Sequence, residues 1–400
     1  MPKLRLLALA ALVPLAPLAC GEEPPPPPPT ILQLTVVDAT TGAPISDAQV
    51  LLPARSRTGG DGKISVETAP ATYTVRVEAA GYISTPEPLE RAVLIPVGAN
   101  VTTTTVVKLE PRPGASGTGR ITGKVTRGGA GVPGVLVLAD ATVSASAVTD
   151  ADGTYSILGL APNLYRVEAF LAAHRSSVKM NVSITDAEVT GTDLELTADA
   201  GATVGGMLGM GTGSSTIALA LAATGDLVPG LSKGASFGGI WSIVGVPPGR
   251  FRVRAALERD GRVLDPELVR KMPPIIDVAD ATMKTVDLPT APALEGLTVR
   301  TGTTVEFSWR AVAGASFYVV EVTNLQGQVL WGGLDARGQP NLRVLAPDTS
   351  VTYGAIVPPI EMLAPTRVYR VRVFAGREVP QMATFELIAA SEEVDGRFRR

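Results

Sequence analysis

One pattern recurs three times along the 400 residues and limits what the chain can fold into. From Asp150 the chain passes an Asp152–Gly153 pair, then Tyr155, Ile157, Gly159, Pro162 and Tyr165. Trp241, Ile243, Gly245, Pro248 and Phe251 stand 86 positions further on, each in register with its counterpart. Upstream, Gly60 to Val66 and Ala69 to Val77 give another copy. Three copies spaced by about ninety residues mean three like modules, because a repeated sequence unit encodes a repeated structural unit.

Each copy has the same physical reading. Asp-Gly is a strong turn signal, since Gly accepts positive φ and Asp bonds its neighbouring backbone. An alternating segment follows, then a corner containing proline, then a second alternating segment. In that second segment Tyr73, Val75 and Val77 share one face, with Thr74, Arg76 and Glu78 on the other. The same parity turns Tyr165 and Val167 inward in the second copy, and Phe251 and Val253 in the third. Period two with one apolar face predicts half-buried strands. Each inward aromatic is expected to contribute about 2–3 kcal/mol by burial.

Composition agrees and excludes several functions. Gly 42 and Pro 33 disfavour long helices, since these are the two poorest helix formers. Charged residues are 18% of the chain, the net charge is −3 and no block of Lys or Arg occurs, so nucleic acid is not an expected partner. With Cys 1 and His 1 there is no internal disulfide, no Cys/His zinc site and no two-histidine enzyme.

The first thirty residues point to a membrane. Lys3 and Arg5 precede the apolar run Leu6 to Leu18, which falls short of the about 20 residues that span a bilayer. It suits the hydrophobic region of a secretory signal over residues 1–19. Cys20, the single cysteine, follows Leu18 and Ala19 and precedes Gly21; this resembles the lipobox of bacterial lipoproteins. The resemblance implies cleavage before Cys20 and lipidation of its thiol, palmitate included, although Pro17 stands where that family usually has Leu. An ordinary cleaved signal with an incidental cysteine is the alternative. Losing Lys3 and Arg5 leaves 33 basic against 38 acidic residues, a net charge of −5. Pro24 to Pro29 then form a stiff polyproline spacer of roughly 19 Å within a 20–30 linker. Gly21 after the cysteine, by resemblance to enteric lipoproteins, implies an outer-membrane anchor in the bacterial cell envelope.

The repeats also resemble a family. Gly123 to Val135, Thr149 to Tyr155, Pro162 to Tyr165 and Val37 to Val50 look like the carboxypeptidase regulatory-like domain, a small transthyretin-like β-sandwich. The resemblance is strong for 31–111 and 117–199. It is weaker for 200–290, where Gly238 stands in place of the turn Asp. The peptidase zinc motif is absent, since His174 has Ser177 three places on. Residues 294–390 are different: Trp309 nine places before Tyr318, and a strand opened by Tyr369, resemble a fibronectin type III module. The expected fold class is therefore all-β, tandem Ig-like/transthyretin-like β-sandwich modules forming a rod or bent chain, with 391–400 a flexible tail.

Candidate sites are few. Ala200 to Gly225 has no charge and holds Gly205 and Gly209 at helical spacing, which raises a membrane span. Seven glycines favour two strands instead, near Thr203–Met210 and Thr216–Ala223. Asp61, Asp150 and Asp152 raise calcium, but turn formation accounts for them without the remaining ligands a calcium loop needs. His174 reads as a solvated loop residue. Asp265 to Met272 reads as a short helix with Asp as cap and Pro at its first position, either a crossover or a partner-contact loop. No catalytic, cofactor or metal residues are identified. The expectation is a non-catalytic, lipid-anchored structural or adhesive lipoprotein binding an envelope or surface protein. The alternative is a carbohydrate-binding accessory that retains polysaccharide.

Overall fold

A computed structural model describes residues 27–52, 55–86, 93–111, 117–185, 188–209, 215–234, 238–257, 261–271, 274–279, 281–325, 327–380, 384–392 and 396–400. Among the described residues the regular structure is almost all strand, with one short helix, Pro266–Lys271, and the strands form four pairs of facing sheets.

The first three pairs share one topology. In the first, Ile31–Asp38 lies between Lys63–Glu67, antiparallel, and Thr102–Leu109, parallel. Its facing sheet runs Arg55–Arg57, Gln49–Leu51, Ala71–Glu78, Val93–Val97. In the second, Gly119–Arg127 takes the central place, between Thr154–Leu160 and Leu194–Ala198. The facing order is Ala145–Val148, Leu136–Asp140, Asn163–Phe170, Val178–Ile184. In the third, Ala202–Met207 lies between Ile240–Val246 and Met283–Thr285, opposite Leu227–Gly234, Ser215–Leu221, Gly249–Leu257 and Ile275–Val278. The third repeat thus keeps the topology although its sequence has drifted furthest.

The repeated turn explains the repeated glycine. Gly62, Gly153 and Gly239 hold φ of 70°, 80° and 78°. A Cβ there would lie 2.6 Å from the Val36 carbonyl oxygen, 2.5 Å from the Val132 nitrogen and 2.2 Å from the Leu208 carbonyl oxygen respectively. A threonine ties each of the first two turns to its own sheet. Thr58 donates to the Ile45 carbonyl at 2.7 Å and accepts from the Ala48 N–H at 2.9 Å. Thr149 repeats this with Val132 at 2.7 Å and Val135 at 2.9 Å.

The expected parity holds. Val75, Val77, Tyr165, Val167, Phe251 and Val253 are all buried. Tyr73 packs against the same core but is only half-buried, its hydroxyl donating to the Ala69 carbonyl at 2.8 Å. Tyr165 also donates to a backbone carbonyl, that of Ala161, at 2.9 Å. Tyr165→Phe keeps the packing and deletes this bond, so urea unfolding is expected to register a loss of about 1 kcal/mol.

The fourth pair sets Thr298–Thr301, Val305–Ser308 and Ser350–Thr352 against a larger sheet. Along the larger sheet run Arg262–Leu264, Thr290–Leu294, Thr384–Ser391, Val368–Val379, Phe317–Asn324 and Val329–Gly332. Trp309 is buried between the two sheets, its ring 5.3 Å from that of Tyr318. The other face of the large sheet is covered as well: Phe317, Val319, Phe374, Phe385 and Leu387 form a second cluster with Val263.

One expectation is corrected here and another, the two strands of the uncharged stretch, is borne out. Residues 391–400 are not a flexible tail in their described part, because Arg397–Arg399 pairs with Val368–Val379 and Phe398 enters the core. Alternation of Arg397, Phe398 and Arg399 supplies one buried face, enough to fix a strand. The uncharged stretch from Ala200 forms the strands Ala202–Met207 and Ser215–Leu221, and no described helix is long and apolar enough to cross a membrane.

Candidate interaction sites at the sandwich junctions

The sandwiches are not strung as separate beads; their junctions gather most of the buried charge. Arg55 projects from the edge of the first sandwich toward the second. Its Nη2 donates to the Val148 carbonyl at 2.6 Å, and Nε lies 3.9 Å from the Asp150 carboxylate. Gln49 accepts from Arg55 and donates to Ser156 Oγ at 3.0 Å. One strand further in, Arg76 Nε donates to Glu78 at 2.6 Å, and its Nη2 lies 3.6 Å from Asp226 of the third sandwich. Ser146 of the second sandwich also donates to Asp226. One polar hub therefore joins three repeats.

Electrostatics hold the hub together. Burial opposes charge on Arg76, but Glu78 and Asp226 outweigh it and hold its pKa above the ordinary value. For Arg55 the balance falls the other way: burial lowers its pKa despite Glu78 and Asp150. Buried charges in such a network must be paired, because a lone one is costly to desolvate. The outward face that held Arg76 and Glu78 in the sequence reading is thus a covered face, not a solvated one.

Apolar contacts reinforce the hub. Leu136, Leu138 and Phe170 of the second sandwich belong to the same buried cluster as Leu219, Phe251 and Val253 of the third. Phe170 and Phe251 meet edge to face, with centroids 6.0 Å apart. Between the third and fourth sandwiches the excursion through Arg262–Leu264 and Pro266–Lys271 does the joining. Asp265 caps the helix, accepting from the Glu267 N–H at 2.9 Å. Glu267 accepts from the Leu387 N–H at 2.7 Å, and Arg270 sits 4.6 Å above the Phe385 ring. The predicted helix is present and its contact is with the chain's own last sandwich.

The first and fourth sandwiches also meet. Arg399 pairs with Glu110, and Arg367 donates to the Pro111 carbonyl at 2.9 Å. A cavity of about 130 Å³ lies at this joint, lined by Ile83, Glu110, Pro111, Asn324, Arg367 and Tyr369 among others. A rod of independent beads is excluded by these contacts, since the first sandwich touches the second, third and fourth.

The remaining sequence candidates have structural roles or lie elsewhere. Asp150 closes its turn, accepting from the Asp152 and Thr154 N–H groups at 3.1 and 2.9 Å. No group of three or more metal-ligating side chains occurs among the described residues. His174 is in a strand, not a loop: Nδ1 donates to the Ala172 carbonyl at 2.8 Å, so Nε2 accepts from Arg127 at 2.9 Å. Cys20 lies outside the described residues. Arg55, Arg76, Glu78 and Asp226 escaped the sequence reading because nothing local marks a covered sheet face. The one available signal was the unbroken apolar run Leu136 to Ala139, which implies burial on both sides.

Comparison with known proteins gives matches of low identity only. No curated protein matches the chain. Among solved structures, the Bacillus anthracis TIE protein matches at 12% identity over 66% of this chain and 51% of its own, TM-score 0.19. The chain therefore spans about half the length of that protein. A Streptococcal ancillary pilin matches at 12% identity over 65% of this chain and 98% of its own, TM-score 0.19. A DUF3823 family protein from Bacteroides ovatus matches at 16% identity over 48% of this chain and 96% of its own, TM-score 0.17. Residues 120–197, in the second sandwich, are similar to the carboxypeptidase regulatory-like domain.

Proposed function

We propose that this chain is a non-catalytic structural lipoprotein of a bacterial envelope, held to the outer membrane through Cys20 and presenting a fused four-sandwich body to another envelope protein. The observation that carries the reading is where the polar chemistry goes. Arg55, Arg76, Glu78, Asp150 and Asp226 lie between sandwiches, and their ion pairs are with one another. Such groups stiffen a body, because each charge is held by its neighbours across a junction. Domain units 31–111, 117–199, 200–290 and 294–390 are proposed as the evolutionary modules. The fibronectin type III-like reading of the last is supported by buried Trp309 and by Tyr369, whose hydroxyl accepts from the Ala364 N–H at 2.8 Å.

A protein partner is favoured over polysaccharide. Sugar binding uses exposed aromatic platforms, and no Phe, Tyr or Trp is exposed among the described residues. Cys20→Ser is expected to shift the protein from the membrane to the soluble fraction and to abolish palmitate labelling. Retention on membranes after that change would refute the anchor. Cross-linking pull-down from intact envelopes, set against glycan-array binding, tests the partner class.

A further inference from the structure

The outermost strand of the first sandwich is unlike its counterparts. All eight residues of Thr102–Leu109 pair in parallel with Ile31–Asp38, without a bulge. Along the other side no strand pairs with it among the described residues. In the second repeat the equivalent strand Leu194–Ala198 is closed off by His174–Ser176. In the third the equivalent, Met283–Thr285, has three residues. Proteins ordinarily protect an edge with shortness, proline, bulges or charge, because its free N–H and C=O groups template pairing with another chain. Other edges here follow that rule: Val93–Val97 contains Pro96, Leu227–Gly234 contains Pro229, and Val178–Ile184 is bulged. Thr102–Leu109 is four threonines, two valines, Lys108 and Leu109, a sequence of high strand propensity with one charge.

We propose that a second copy of this chain pairs antiparallel along Thr102–Leu109, joining two three-stranded sheets into one of six strands. The inference does not depend on the lipid anchor. Several observations select a copy as the occupant. A two-fold axis normal to the sheet keeps both cores on the same side, so inward residues must oppose inward ones. Centring the axis on Val106 meets this condition. Val106 then opposes the partner's Val106, and Lys108 opposes the partner's Thr104. The one charge therefore meets a hydroxyl and never itself. Val106 is 58% exposed in the single chain and is the one large apolar side chain on the outward face of this strand. Thr103 and Thr105, half-exposed at the margin of the core, would be covered by the partner's Leu109 and Val107. The chain's own stalk cannot take this place, since Pro24 to Pro29 have no N–H to donate. An interface of one strand is small, so the association is concentration-dependent.

The test uses the full chain with Cys20→Ser as background, so that an added cysteine is the single thiol. Opposed residues have Cβ atoms about 4.5–5.5 Å apart, at the margin of disulfide reach. Val106→Cys is expected to give a disulfide-linked dimer under mild oxidation, and Ser65→Cys, exposed on the strand at the opposite side of the sheet, is expected to stay monomeric. In sedimentation without added cysteine the chain should show a monomer–dimer equilibrium, and Val106→Lys should weaken it at least about tenfold by setting like charges face to face. Circular dichroism of Val106→Lys checks that folding is intact. The proposal is overturned by a monomer at every concentration, by equal cross-linking of Ser65→Cys, or by a dimer indifferent to Val106→Lys.

Discussion

Phe251→Ala is expected to lower stability by about 3–5 kcal/mol and to lower the second and third sandwiches together. The size follows from burial: Phe251 is fully enclosed, and truncation leaves a ring-sized cavity that close-packed neighbours fill only in part. The coupling follows from what lines the cavity. Phe170, Leu136 and Leu138 of the second sandwich lie in one cluster with Val253, Leu219 and Trp241 of the third. Loss of the Phe251 ring therefore removes the edge-to-face contact with Phe170 and loosens both partners. Scanning calorimetry decides the matter. A downward shift shared by the two sandwiches supports a fused body. A shift confined to one, with the other melting as before, would show that the junction is a loose contact.

The elements of the fold were readable because their causes are local. The Asp-Gly turn at 152–153 needs a residue tolerant of positive φ, and Gly153 is written there; the same holds at Gly62 and Gly239. The helix at Pro266–Lys271 announces itself by Asp265 and Pro266. Inward parity at Tyr165 and Phe251 came from simple alternation. What covers a strand's second face is another matter, because the covering residues lie far away in sequence. Arg76 and Asp226 are 150 positions apart, and no pattern within either strand names the other. Phe317 to Val320 are buried consecutively, a run that implies two covered faces, yet the cover comes in part from Val263. The tail departs from expectation for the same reason. Its charges favour solvent, but Phe398 between two arginines packs into a core built some thirty to ninety residues earlier, against Phe307 and Tyr369.

The hub gives the second large effect. Arg76→Met is expected to lower stability by about 3–5 kcal/mol, because it removes the cation beside Asp226 in a buried junction and leaves Glu78 only the more distant Arg55, at 3.8 Å. Geometry makes the loss specific: Arg76 Nε lies 2.6 Å from Glu78 and its Nη2 3.6 Å from Asp226, with all three side chains under one-fifth exposed. Salt offers a discriminator. Exposed pairs such as Arg310 with Glu295 weaken as salt is added, whereas a buried hub is screened far less. A deficit that vanished in high salt, or one below about 1 kcal/mol as for surface ion pairs, would mean that water reaches the junction and that the sandwiches are held by their apolar contacts alone.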